Sequence, residues 1–284
     1  MVGRVVVGVD GSPESVNALR AAAREAALRG GTLEVVGAWT YPAAAVLPVS
    51  AEMPGPADLV AHVHELLDKA LADAGVTDGE VVRRVVQDKP GPALVEAAVG
   101  ADLLVVGARG LGAFDRLLLG SVSDHCINHS STPVLIVRET PSEGQERIVV
   151  GVDGSEGSRR ALQWAVDEAK LRGDTRVEAV LVWQDPVAAA WPYPPVLWDR
   201  DSLASAAKEA LDRVVAGVDV RGYDGVVEPV LAEGAPARVL LEAADGADLV
   251  VVGAHGPGGI SDRLLGSVSR HVARHSTRPV VVVR

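Results

Sequence analysis

Short runs of β-branched residues alternate along the chain with longer stretches whose apolar positions recur at helical spacing. In the first half the apolar runs are RVVVGV, LEVVGAW, EVVRRVV, DLLVVG and PVLIV. Runs that are apolar at nearly every position, rather than at alternate ones, belong to strands covered on both faces. Between them, SPESVNALRAAAREAALRG predicts a helix with Ser12 as its N-cap and Pro13 at its first position, closing at Gly30 or Gly31. DLVAHVHELLDKALADAG and PALVEAAVG predict two more helices, and GSVSDHCINHSS a fourth. This alternation predicts an α/β fold built on a mainly parallel sheet.

The pattern is written twice. RVVVGVDGS at residues 4–12 returns as RIVVGVDGS at 147–155 with eight of nine positions identical, and residues 107–138 and 253–284 share 17 of 32. A repeat of this length is one domain duplicated. The expected architecture is two tandem five-stranded, mainly parallel αβα sandwich domains over residues 1–138 and 147–284. They are joined by ETPSEGQE at 139–146, which is polar, carries Pro141 and Gly144 and reads as a linker. Between the second strand and second helix of each copy lie long proline-rich stretches at 40–57 and 184–201. Loops longer than about 12 to 15 residues are usually functional or mobile, so both read as flaps beside a site. Trp191, Tyr193 and Trp198 make the second a packed or partner-contacting loop.

Composition narrows the setting. A formal net charge of −11 argues against a general nucleic-acid binder, which needs a basic face for phosphates. The single cysteine, Cys126, excludes an intramolecular disulfide, and no charged-then-apolar leader opens the sequence. A cytoplasmic setting is therefore expected. No apolar run approaches the roughly 20 residues of a membrane-spanning helix.

Candidate chemistry concentrates in GARGLGAFDRLLLGSVS at 107–123 and its counterpart GAHGPGGISDRLLGSVS at 253–269. Both carry the spacing G-x2-G-x9-G-S. Gly107 falls at the end of the fourth strand, where open α/β sheets bind ligands. Glycine can take positive φ and lets backbone N–H groups approach a ligand. Gly120 and Ser121 open a helix whose first amides lack intrahelical partners and whose dipole is positive at that end, a geometry suited to phosphate. Ser121 and Ser123 are expected to add hydroxyl donors. Turn glycines would explain any one of these positions, but less well the same spacing in both copies. There is no G-x4-G-K-S/T and no G-x-G-x-x-G after the first strand. VDGSPES approaches the S-G-G-x-D-S loop of ATP pyrophosphatases, but Pro13 makes an adenylating synthetase a poor fit.

Two further constellations have simpler explanations. His125 with His129, and His271 with His275, are spaced i, i+4 on the last helix of each copy, a spacing that lets two imidazoles share a metal. No Glu sits between them as in H-E-x-x-H, and histidine near a helix C-terminus commonly complements the dipole. No metal site is assigned. Cys126 reads as a small buried side chain, with a redox role as the minor alternative.

VGVDGS after strand one, the glycine spacing after strand four, SVSxxxxxHS in the following helix and the closing PVLIV resemble the universal stress protein family, in its tandem form. The resemblance covers nearly the whole chain twice. It implies the adenine nucleotide α-hydrolase-like (HUP) fold, with the copies packed in a pseudo-two-fold relation through their last strands. The intact glycine pattern resembles that of the members that bind ATP, which implies one ATP site per copy. In the first copy that site would comprise Gly8, Asp10, Ala38, the run Gly107, Ala108, Arg109, Gly110, Leu111, Gly112 and Ala113, and then Gly120, Ser121, Val122 and Ser123. In the second it would comprise Gly151, Asp153, Val182, the run Gly253, Ala254, His255, Gly256, Pro257, Gly258 and Gly259, and then Gly266, Ser267, Val268 and Ser269. Adenine would rest against backbone at Gly8 and Ala38, or Gly151 and Val182. Asp10 and Asp153 would face ribose or a Mg²⁺ bound to the phosphates; either could equally be a turn residue serving the next helix.

The copies differ at Arg109 against His255 and at Leu111 against Pro257, so the two sites are expected to differ in affinity. Neither copy pairs the phosphate loop with a convincing nucleophile, general base or lysine. No catalytic residue is therefore assigned. The expected protein is an ATP-binding regulator of stress response or growth, with an unidentified protein partner and a homodimer among its expected assemblies. A slow Mg-dependent ATPase or kinase-like enzyme is the alternative, and a scaffold with empty pockets a third.

Overall fold

A computed structural model describes residues 3–41, 55–77, 79–110, 119–138, 147–184, 199–256 and 265–284. The chain divides into two compact units, Met1–Thr140 and Pro141–Arg284. The expected linker and most of both proline-rich stretches, including Trp191, Tyr193 and Trp198, lie outside the described residues.

The first unit runs β1 (Arg4–Gly8), α1 (Pro13–Leu28), β2 (Thr32–Trp39), α2 (Pro56–Ala74), β3 (Val81–Gln87), α3 (Pro90–Ala97), β4 (Leu103–Gly107), α4 (Ser121–His129) and β5 (Val134–Val137). Its strands lie in the order β3-β2-β1-β4-β5, and every pairing is parallel. The second unit runs β6 (Arg147–Val152), α5 (Glu156–Leu171), β7 (Arg176–Trp183), α6 (Arg200–Ala216), β8 (Val227–Glu233), α7 (Pro236–Ala243), β9 (Leu249–Gly253), α8 (Ser267–His275) and β10 (Val280–Val283). Its order is β8-β7-β6-β9-β10, again parallel throughout.

Right-handed crossovers account for the layers. The chain steps outward from β1 to β3, then returns to the other side of β1 through β4 and β5. A constant handedness therefore puts α1 and α2 on one face and α3 and α4 on the other. Accordingly α1 packs on α2, and α3 on α4. Val5, Val6 and Val7 of β1 and Leu103, Leu104 and Val105 of β4 have no exposed surface, which explains their unbroken apolar runs.

An arginine at the amino end of each first strand secures the edge away from the site. Arg4 donates to Glu34 Oε2 at 2.6 Å and to the carbonyls of Ala97, the last residue of α3, and Val99, two residues beyond it. Arg147 repeats this with Glu178 at 2.9 Å and with the carbonyls of Ala243 and Asp245. Both glutamates are buried, and a buried carboxylate has to be paired. Each has a second arginine, Arg84 at 3.2 Å and Arg176 at 3.0 Å.

The helix limits follow their caps. Ser12 accepts from Ser15 N, Pro13 follows it, and Gly30 beyond the helix end adopts φ +56°. Two helix starts differ from expectation, the first being that of DLVAHVHELLDKALADAG, which begins at Pro56 instead of Asp58. The helix read as PALVEAAVG begins two residues earlier, at Pro90, because both Pro90 and Pro92 sit in the first turn, where no intrahelical N–H is needed. Replacing Ser12 with Ala should cost about 1 kcal/mol of stability through loss of the cap. Urea unfolding monitored in the full chain should show this as a lower midpoint for the first unit.

Candidate functional site

β1 lies between β2 and β4, and the chain leaves it toward one side and returns on the other, so a crevice opens past the carboxyl ends of β1 and β4. A cavity of about 460 Å³ occupies it in the first unit. Its apolar lining comes from Val9, Val36, Ala38, Pro90, Leu94 and Val106. Asp10, Gly107, Arg109, Gly110, Gly120, Ser121 and Ser123 supply polar groups and glycine backbone to the same lining. Val36 O accepts from Val9 N at 3.0 Å; by strand alternation the Ala38 N–H and C=O point the same way, past the end of β1.

Of the expected residues, the cavity gathers Gly8, Asp10, Ala38, Gly107, Arg109, Gly110, Gly120, Ser121, Val122 and Ser123. Leu111, Gly112, Ala113, Pro257, Gly258 and Gly259 lie outside the described residues. Ala108 and Ala254 do not face open space. They are buried, their N–H groups bond to Val137 O and Val283 O, and their carbonyls accept from Gly120 N and Gly266 N.

The glycines serve for a different reason than expected. None of Gly107, Gly110, Gly120, Gly253, Gly256 and Gly266 has positive φ; that conformation falls on Gly11 and Gly154, in the turn after the first strand of each unit. What these positions lack is room. A Cβ on Gly107 would lie 3.1 Å from the Glu14 carbonyl group, and on Gly253 2.8 Å from that of Gly157, because the start of α1 or α5 crosses the strand end there. A Cβ on Gly110 would lie 2.2 Å from Asp10 Oδ2, and on Gly256 2.7 Å from Asp153 Oδ2.

The serines also divide their work. Ser121 and Ser267 are exposed at the first position of α4 and α8. Ser123 and Ser269 are buried and donate their hydroxyls to Gly107 O and Gly253 O, both at 2.6 Å. They hold the helix on the strand instead of offering a donor to a ligand. Asp10 serves the turn foreseen for it and also lines the cavity. Its Oδ1 accepts from Ser12 N at 3.0 Å and Ser12 Oγ at 2.6 Å, while Oδ2 lies toward Gly110 at the cavity. Asp153 likewise accepts from Ser155 N at 2.9 Å.

Arg109 is not an uncommitted charge: its Nη2 lies 3.0 Å from Glu14 Oε1. In the second unit His255 takes its place, with a buried Nε2 that has no hydrogen-bond partner among the described residues. Sequence reasoning missed Val9, Ser15, Val36, Pro90, Leu94 and Val106. Val36 was within reach, since it shares a strand face with Ala38; Pro90 and Leu94 come from a helix that only packing brings to the site.

The histidine pairs stack on their own helices. His125 and His129 have ring centroids 4.1 Å apart, His271 and His275 4.3 Å. Among the described residues no group of three or more His, Cys, Asp or Glu is placed to hold a metal. Burial, and then the neighbouring His129, lower the pKa of His125 against the opposing effect of Asp124. Its ring also fills the space over Gly91 on α3, where a Cβ would lie 2.8 Å away. Cys126 is buried, which pushes its thiol up to about 12 and keeps it protonated.

Residues 1–138 and 145–284 each match the universal stress protein family. The chain belongs to this family. A universal stress protein of Mycolicibacterium smegmatis is 36% identical over 292 residues, covering 99% of this chain and 96% of that protein. One from Mycobacterium tuberculosis is 35% identical over 293 residues with the same coverage. The crystal structure of a universal stress protein from Archaeoglobus fulgidus superposes with a TM-score of 0.67 at 19% identity, over 99% of this chain and 98% of that one, and so shares the fold. Among the described residues of this universal stress protein no helix is long and apolar enough to cross a membrane.

Two predictions come from this geometry. Gly110→Ala should destabilise the first unit by about 1 kcal/mol, because the new methyl forces the Asp10 carboxylate off Ser12. In an Asp10→Ala background that cost should vanish; strict additivity of the two substitutions in unfolding measurements would show that they do not touch. The second concerns pH. A folded-state pKa lowered at His125 means that the unfolded chain binds the proton more readily, so this contribution is complete above about 6.5 and is lost as pH falls below it. The difference in urea midpoint between His125→Asn and wild type should change across that interval and stay level above it.

Proposed function

We propose that each unit binds an adenine nucleotide, ATP foremost, and that the protein acts as a nucleotide-dependent regulator, not as a metabolic enzyme. The observation that carries this is the mixed lining of the first unit's cavity: apolar side chains suited to a base, together with glycine backbone and the opening of α4 suited to phosphate. The second unit supports it by repeating the same hydrogen bonds and glycine clearances around Gly253, Gly256 and Gly266. A binding role is favoured because no lysine, cysteine or histidine is among the described residues lining the cavity.

Asp10 is the observation that favours the alternative of slow Mg-dependent hydrolysis. Mg²⁺ is commonly held by one or two carboxylates together with substrate phosphates and waters, and Asp10 Oδ2 beside Gly110 fits that donor set. Bound there, the ion would neutralise phosphate charge. Partner contact in a regulatory role is assigned to the stretches at 40–57 and 184–201, a part of the proposal drawn from the sequence alone.

ATP that binds only the folded units must stabilise them, by roughly 2.7 kcal/mol per site at a hundredfold excess over the dissociation constant. The melting temperature should rise equally with ATP and with a non-hydrolysable analogue, while phosphate release stays far below the ordinary enzyme range of about 1 to 1,000 per second. A rise with ATP alone, accompanied by turnover in that range, would make the protein an enzyme. No rise with either would remove the nucleotide.

A further inference from the structure

Arg109 is the cationic residue among those lining the first unit's cavity, and it is already engaged. Its ion pair with Glu14, at 3.0 Å, is largely shielded, the two side chains being 20% and 24% exposed. The pair takes Nη2 of the guanidinium. The Nε of Arg109 is buried and has no hydrogen-bond partner among the described residues, so the edge left to a ligand is Nη1 with Nη2. A second guanidinium stands near: burial first, and then the Arg109 charge, hold the pKa of Arg138 below its ordinary value. Glu14 is fixed in place by the crossing that excludes a side chain from Gly107, since the Glu14 carbonyl group lies against that glycine.

The second unit lacks both partners together. Gly157 stands at the position of Glu14 and His255 at that of Arg109. A Cβ on Gly157 would lie 2.7 Å from His255 O, so no acidic side chain fits there without moving backbone.

We infer that Glu14 is an internal anion that competes with ligand phosphate for Arg109 and so holds the polyphosphate affinity of the first site below what Arg109 would otherwise confer. The inference rests on the nucleotide reading for the identity of the ligand, but not for the competition itself. A guanidinium gives its strongest phosphate contact through two parallel N–H groups; with Nε buried, the Nη1–Nη2 edge must supply both, and it cannot while Glu14 holds Nη2. A ligand whose phosphates do not reach Arg109 leaves the pair intact and is indifferent to Glu14. A triphosphate must displace the carboxylate. Glu14 therefore narrows the preference of the first site for tri- over monophosphate, and the second site has no equivalent restraint.

The test uses the full chain, with amide shifts of Gly110 and Ser121 reporting the first site and those of Gly256 and Ser267 the second. Adenosine, AMP, ATP and inorganic tripolyphosphate are titrated into wild type and Glu14→Gln. The substitution should tighten ATP and tripolyphosphate about tenfold at the first site, the scale of one charge-assisted hydrogen bond, and leave adenosine and the second site unchanged. In an Arg109→Gln background the gain should shrink; a gain that persists or grows would mean that Glu14 acts by its field alone, and would overturn the competition. So would equal gains for adenosine and ATP, or no gain for either anion. ATP binding that Glu14→Gln leaves unaltered overturns this inference and spares the nucleotide reading. Tighter tripolyphosphate without any ATP response does the reverse, and silence toward every ligand overturns both.

Discussion

The opening of α4 is pinned to the end of β4 by two hydrogen bonds, and the cavity depends on them. Ser123 Oγ donates to Gly107 O at 2.6 Å, and Gly120 N donates to Ala108 O at 2.8 Å, while Ala108 N is itself held by Val137 O. The last residues of β4 and the first turn of α4 thereby become one rigid corner whose helix amides open onto the crevice. The second unit repeats it, with Ser269 on Gly253 at 2.6 Å and Gly266 on Ala254 at 2.8 Å. A helix N-terminus has no internal partner for its first amides, so a corner that fixes their direction without covering them leaves a preformed place for an anion.

Close packing at this corner explains why side chains are absent there. The helix after β1 crosses the end of β4 at Gly107, and the Asp10 carboxylate closes against Gly110. Each contact joins an element of the site to one far away in sequence. Asp10 serves both sides, holding the turn into α1 through Ser12 and presenting its other oxygen toward the cavity. Order in the turn and charge in the site are thus linked through one residue, and the Glu14–Arg109 pair adds a second link between α1 and the loop after β4.

Duplication preserved the frame more strictly than the charges. The arginine clamp at the far end of the sheet persists in both units, as Arg4 with Glu34 and Arg147 with Glu178. The serine-to-strand hydrogen bond persists as well. These contacts satisfy buried polar groups, whose loss would cost about 1 to 3 kcal/mol each wherever the fold is kept. The charge beside the cavity did change, from Arg109 with Glu14 to His255 with Gly157.

The elements, their order and the cap at Ser12 were legible in the sequence because each depends on neighbours within a few residues, and the two-fold repetition because the same motifs recur in both halves. The spacing of Gly107, Gly110, Gly120 and Ser121 was legible too, as was the position of the site, which follows from strand order once the sheet is parallel. Tertiary structure decided what those residues do. The sequence suggested freedom of φ at the glycines, and the fold required absence of a Cβ; it suggested a ligand donor at Ser123, and the fold placed Gly107 O within reach of the hydroxyl first. Arg109 looked like a free charge until α1 brought Glu14 to it, and Pro90 and Leu94 entered the wall only because α3 packs over β1. Periodicity and capping are local and can be read along the chain, whereas steric exclusion and the choice among competing hydrogen-bond partners arise only when distant segments meet.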